Sequence, residues 1–152
     1  MNKLRYGLVA AGTIARVHAK ALAARPDVEL AAASDVSEKT LAATCEQFGI
    51  PARYADYKEM FKKENLDVAI VCTPNAFHCD AVLAALKAGC HVMCEKPPAV
   101  SVKEARKMAD AAVQAGKRLF YGVHMRFEPA VETARAYLDS GRLGEVYHAS
   151  VH

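Results

Sequence analysis

The sequence predicts an α/β fold, a doubly wound parallel sheet with helices packed on its faces, and three observations predict it. Short apolar runs alternate regularly with helical patterns along most of the chain. The run Val68-Ala69-Ile70-Val71-Cys72 is continuously apolar, as a strand covered on both faces of a parallel sheet must be. Finally, the chain opens with a strand that runs straight into a glycine turn and a helix, Tyr6-Gly7-Leu8-Val9-Ala10-Ala11-Gly12-Thr13-Ile14-Ala15.

Taken in order, the expected strands are Leu4–Ala10, Glu29–Ser34, Asp67–Cys72, His91–Cys94 and Arg118–Tyr121. Between them lie helical patterns over Ile14–Ala24, Ser37–Phe48, Tyr57–Lys63, Ala76–Ala88 and Val102–Ala115. Several boundaries carry their own chemistry. Ser37 follows a strand end and can cap the next helix with its hydroxyl. Ser101, three residues before Glu104, has capping-box spacing. Gly89 and Gly116 follow helices and suit the left-handed residue that closes them.

The last thirty residues differ in pattern. Arg126-Phe127-Glu128-Pro129 opens a helix with apolar positions at Val131, Ala134, Tyr137 and Leu138, and Asp139-Ser140-Gly141 breaks it. Glu145–His152 then alternates apolar and polar residues like a half-buried strand. Such a strand needs a partner, which implies a second domain cut short. Pairing onto the existing sheet, or with another chain, stays open.

Composition excludes several classes. The chain is 152 residues long, 53% hydrophobic and 24% charged, which is that of a globular protein with room for a core. The net charge of +3 is spread along the chain. With no basic block, nucleic acid is a poor partner. No apolar run reaches the length of a membrane span and the N-terminus lacks a secretory signal, so the expected compartment is the cytoplasm. Five cysteines, an odd number lying largely in apolar segments, argue for buried thiols in a reducing setting rather than a disulfide framework. Cys90-His91 with Cys94 has the residue types of a metal site, but alternation along a strand sends them to different faces, and no metal site is expected.

Three strand ends carry chemistry. In a dinucleotide-binding turn, glycines allow a tight bend and a close approach to the pyrophosphate, whose charge sits at a helix N-terminus. Here the three glycine slots hold Ala10, Gly12 and Ala15. Alanine in the first slot departs from the pattern and predicts a wider turn with a weaker hold on the cofactor. Asp35 lies at about the ~20-residue separation where a carboxylate accepts hydrogen bonds from ribose hydroxyls. It repels a 2′-phosphate, which favours NAD over NADP, although Ser37 and Lys39 keep NADP open. Thr73 and Asn75 follow the strand Asp67–Cys72, with His78 close behind; helix capping is an equal reading of Thr73 and Asn75. Glu95-Lys96-Pro97 ends another strand on the same edge. A lysine held in a partly desolvated cleft can polarise a hydroxyl or carbonyl and help move a proton. Glu95 either pairs with it or binds the nicotinamide ribose, and a plain solvated ion pair is the alternative.

In this order, the turn over residues 6–15, Thr73-Pro74-Asn75 with His78, Ala88-Gly89-Cys90-His91-Val92 leading into Glu95-Lys96-Pro97, and Arg126-Phe127 with Pro129 resemble one large family. The chain is similar to the N-terminal part of a Gfo/Idh/MocA oxidoreductase, a group named for glucose–fructose oxidoreductase and inositol 2-dehydrogenase. The resemblance implies a Rossmann-type domain over residues 1–122 that binds NAD or NADP. It further implies that residues 123–152 begin an α+β domain for substrate binding and oligomerisation. Hydride would pass between the nicotinamide and a sugar, polyol or related hydroxy compound. Lys96 would be the catalytic or substrate-orienting lysine and Glu95 a cofactor contact. Gly12, Thr13 and Ile14 would line the pyrophosphate, Asp35 the ribose, and Thr73, Asn75 and His78 the groove, with Arg126 near the nicotinamide end. A homo-oligomer is expected of the full-length form. The other reading is a dinucleotide-binding sensor or regulatory module without turnover.

Overall fold

The computed structural model describes residues 3–150. The chain divides into two compact units, Met1–Gly122 and Val123–His152.

The first unit is a six-stranded, wholly parallel sheet. Its strands are β1 (Leu4–Val9), β2 (Val28–Ser34), β3 (Ala52–Tyr54), β4 (Val68–Val71), β5 (His91–Cys94) and β6 (Leu119–Tyr121). The order across the sheet is β3-β2-β1-β4-β5-β6. The chain therefore starts mid-sheet, builds outward to β3, then crosses back to lay β4 against the free side of β1. That reversal leaves a crevice beyond the carboxyl ends of β1 and β4, where open α/β sheets bind ligands.

Helices α1 (Thr13–Ala23), α2 (Glu38–Phe48), α3 (Tyr57–Lys63), α4 (His78–Lys87) and α5 (Val102–Gln114) connect the strands. Alternation along β1 sends successive side chains to opposite faces. Leu8 joins a core with Ala19, Leu41 and Cys45 from α1 and α2. Val9 joins the other, with Met60, Val82, Leu86 and Met108 from α3, α4 and α5. The predicted caps form: Ser37 Oγ accepts from the Thr40 N–H and Ser101 Oγ from the Glu104 N–H.

Gly7 shows why β1 carries a glycine in its middle. A Cβ there would lie 2.5 Å from Leu66 Cδ1 and 3.3 Å from Met60 Cε, and the β1–β2 register slips between Tyr6 and Gly7. At the amino edge of the sheet, away from the crevice, Arg5 binds Glu29 and Glu64, both at 3.0 Å. It also donates from Nε to the Asn65 carbonyl at 2.8 Å.

Two expectations need correction. β3 is a sixth strand that the sequence did not announce; three residues long and paired only with β2, it is too short for a periodicity to emerge. Residues 145–150 form no strand. A strand requires a partner for its backbone groups, and no pairing of this segment occurs among the described residues. The remainder of the predicted strand, Val151 and His152, lies outside them.

The second unit contains a 3-10 turn, His124–Phe127, and α6 (Pro129–Asp139). Pro129 occupies the first helical position, where its missing N–H is harmless. Gly141 ends the helix at φ 69°. Val131, Tyr137 and Leu138 along it are exposed. No helix of the described residues is long and apolar enough to cross a membrane.

Candidate functional site

The glycine turn is gripped on both sides of one residue. The Ala11 N–H donates to Asp35 Oδ2 at 2.8 Å, and the Ala11 carbonyl accepts from the Thr44 hydroxyl at 2.7 Å. Thr44, on α2, is fully buried and in turn accepts from Arg16 Nε at 2.8 Å. Held this way, the chain drives Ala10 to φ 73°, the left-handed region that favours glycine. The missing first glycine therefore shows itself as backbone strain in a turn that keeps a glycine's conformation.

Beyond Ala11, Gly12 caps α1 without any side-chain hydrogen bond, and the first turn of α1 carries no acidic residue. Its leading N–H groups are thus free donors at the positive end of a helix dipole. A Cβ built on Gly12 meets nothing within 4 Å, so another molecule can approach this backbone closely.

Gly12, Asp35 and Thr73 line one cleft of about 650 Å³, together with Val36, Pro74 and Phe77. Asp35 anchors its wall: Oδ1 accepts from the Ser37 N–H at 2.8 Å while Oδ2 holds Ala11. A carboxylate still has lone pairs left after two such bonds. Val36 is 95% exposed at the rim and Phe77 58%. Thr73 Oγ1 is buried without a hydrogen-bond partner among the described residues. Neither Thr73 nor Asn75 caps a helix, since the 3-10 turn Asn75–Phe77 and α4 both lack a side-chain cap. Asn75, Thr13 and Ile14 are exposed.

His78 occupies a different place from the one expected of it. Only 1% exposed, it sets Nε2 2.8 Å from the Thr73 carbonyl and Nδ1 2.9 Å from the Pro97 carbonyl. Both ring nitrogens face backbone carbonyls of two strand-end loops, one of which accepts the single N–H of a neutral imidazole, and the buried ring does not line the groove.

Glu95 has a partner that the sequence did not announce. It pairs with His18 of α1, Oε1 to Nε2 at 2.7 Å, rather than with the Lys96 amine, and its Oε2 accepts from the Lys96 backbone N–H at 3.1 Å. The two side chains are only 13% and 19% exposed. Burial pushes the Glu95 carboxyl up, but the hydrogen bonds from His18 and the Lys96 N–H outweigh it and hold the carboxyl below its ordinary value. The Lys96 side chain is exposed, not desolvated, and has no ion-pair partner among the described residues. The Lys96–Pro97 peptide is cis. Arg126 belongs to the second unit, in its 3-10 turn, with its side chain exposed.

His18 and Thr44 escaped the sequence reading. A lone histidine inside an amphipathic helix carries no local signal of its partner, and a threonine in a helix interior reads as a weak helix former. Their roles come from residues far along the chain.

The five cysteines are free. Desolvation pushes the thiols of Cys72 and Cys94 up to about 12 and that of Cys90 to about 11. No cluster of three or more His, Cys, Asp or Glu side chains able to hold a metal occurs among the described residues.

Comparison with known proteins decides the family. Residues 4–123 match the Gfo/Idh/MocA description, "Oxidoreductase family, NAD-binding Rossmann fold". The chain belongs to the Gfo/Idh/MocA family. Among its relatives is the D-glucoside 3-dehydrogenase of Escherichia coli, 41% identical over 96% of this chain and 42% of that protein. The trans-1,2-dihydrobenzene-1,2-diol dehydrogenase of Mus musculus is 37% identical over 94% of this chain and 44% of that protein. The WlbA dehydrogenase of Bordetella pertussis, solved with NADH and UDP-GlcNAcA, superposes with a TM-score of 0.91 at 28% identity, over 96% of this chain and 45% of that one. This Gfo/Idh/MocA chain thus spans less than half the length of these relatives.

The cleft of this Gfo/Idh/MocA chain fits the dinucleotide its family description names. The bare Gly12 backbone and the uncapped α1 terminus suit a pyrophosphate. The orphaned Thr73 hydroxyl is a polar group in the cleft wall that still lacks a partner.

Proposed function

We propose that this chain is the cofactor-binding part of a nicotinamide-dependent dehydrogenase acting on a secondary hydroxyl of a sugar, polyol or related ring alcohol. The observation that carries it is the shared cleft of Gly12, Asp35 and Thr73 at the topological switch between β1 and β4. In this reading the α1 terminus, with Gly12, Thr13 and Ile14, holds the pyrophosphate. Asp35 accepts from the adenosine ribose hydroxyls, and the bare Val36 side chain lies against the adenine. Thr73 donates its free hydroxyl to the cofactor, with Asn75 beside it. NAD is the cofactor, because a 2′-phosphate would meet the Asp35 carboxylate.

Bound NAD supplies the hydride acceptor. Lys96, exposed at the β5 end with no ion pair competing for it among the described residues, hydrogen-bonds the substrate oxygen and helps move its proton. A pure sensor has no use for such a lysine, which favours turnover. Residues 123–152 begin the substrate and oligomerisation domain, and Arg126 contributes to cofactor binding. The full-length protein is a homo-oligomer of the cytoplasm, a setting in which its free thiols persist.

The test pairs two substitutions. Thr44→Ala loosens the turn without touching the ribose, so fluorescence titration should show NADH and NADPH weakened alike. Asp35→Ala loosens the turn and removes the ribose acceptor, so NADH should lose about tenfold more affinity than NADPH, the size of a hydrogen bond to a charged group. Equal losses for the two cofactors in Asp35→Ala would contradict the ribose role. Binding of neither cofactor by the unaltered protein at micromolar to millimolar concentration would reject the function.

A further inference from the structure

The lysine-bearing strand end is fixed by a series of side-chain and backbone contacts. The Glu95 carboxylate lies between three features: His18 Nε2 at 2.7 Å, the Lys96 N–H at 3.1 Å, and the α-carbon of Gly122, where a Cβ would sit 3.0 Å from Oε1. An ionised carboxylate only accepts, so His18 Nε2 carries the hydrogen of this bond. The Glu95 N–H donates to the Val71 carbonyl at 3.0 Å, which continues the β4–β5 ladder up to the lysine. On the far side, His78 Nδ1 lies 2.9 Å from the Pro97 carbonyl. The two histidines come from opposite faces of the sheet, His18 from α1 and His78 from α4.

We propose that His18 is a positioning residue for Lys96, acting through the Glu95 carboxylate. His18 fixes the carboxylate, the carboxylate fixes the Lys96 backbone, and the lysine side chain extends from that anchor into solvent. Because His18 rides on the helix that begins at Gly12, the same link connects the phosphate-binding end of the cleft to the reacting end. The inference rests on Lys96 being the lysine that faces the nicotinamide.

Three variants test it. His18→Gln keeps an N–H donor at comparable reach, His18→Asn is polar but too short to reach Glu95, and His18→Ala removes the donor. The first arm reads exchange of the Lys96 amide by NMR without cofactor. Loss of a hydrogen bond to a charged group should speed it roughly tenfold or more in His18→Ala and His18→Asn, with His18→Gln restoring it. The second arm reads acetylation of Lys96 by an N-hydroxysuccinimide ester at saturating NADH, with Lys62 and Lys103 as internal references. NADH should shield Lys96 in the unaltered protein and in His18→Gln, and shield it poorly in the other two. A purely structural role for His18 would leave that selective pattern flat across the variants. Unchanged amide exchange in both His18→Ala and His18→Asn, or equal shielding in all four proteins, overturns the proposal. If NADH binds yet never shields Lys96 in the unaltered protein, the placing of Lys96 over the nicotinamide is what fails, and the amide arm still decides whether His18 fixes the strand end.

Discussion

At Ala10 the chain carries a left-handed backbone on a residue with a β-carbon. That conformation costs an alanine about 1–2 kcal/mol relative to its preferred regions, and a glycine far less. It persists because Asp35 and Thr44 hold the next residue by its N–H and its carbonyl at once, an over-determined neighbourhood of the kind that stores strain at functional sites. Ala10→Gly should therefore raise stability by about 0.5–1 kcal/mol, the strain relief being partly offset by the greater freedom of glycine in the unfolded chain. Thermal denaturation checks it: a melting temperature equal to or below that of the unaltered protein would show that Ala10 is not strained. Asp35 has a double duty in this arrangement, one face toward the turn and the other toward the cleft.

Among the elements, β1 is tightly constrained. It pairs on both sides, with β2 and β4, and its Gly7 lies where a methyl group would collide with the buried Leu66. Gly7→Val should cost about 1–3 kcal/mol, the usual penalty of overpacking, which a shift of the urea midpoint at unchanged slope would register; an unshifted midpoint would mean that Leu66 yields freely. Much at this scale was legible beforehand. Ser37 and Ser101 announce their helices because a hydroxyl before an apolar-periodic run has few other uses, and the unbroken apolar run at 68–72 announces a central strand. β3 stayed hidden because three residues hold no period. The roles of His18 and His78 stayed hidden because each depends on a partner supplied by a loop elsewhere, nineteen residues on for His78 and seventy-seven for His18. The glycine turn was readable as a motif, whereas the Thr44 hydroxyl that holds it was not.

For the molecule as a whole, the free thiols report on integrity. Burial is the leading cause that raises all five, Cys45 and Cys79 in direction and Cys72, Cys90 and Cys94 to about 12, 11 and 12. A raised value leaves each thiol protonated at pH 8, so the reactive thiolate is scarce. An aromatic disulfide reagent should react with the native protein at least ~100-fold more slowly than with free cysteine, and five equivalents should appear together on unfolding. Rapid release of one equivalent from the native state would mean that a thiol is open to solvent. Cys72 is the one to watch, since it lines the cleft and is only partly buried; dinucleotide should slow its reaction further.

Gly122 is the last residue of the first unit and sits so close to the Glu95 carboxylate that an added Cβ would lie 3.0 Å from Oε1 and 3.2 Å from Oε2. Its bareness makes this spot a keyhole: a single methyl placed there would crowd the carboxylate and shift it by a few tenths of an ångström. The lysine loop can thus be strained from the rear, with every group that faces the ligand left chemically intact.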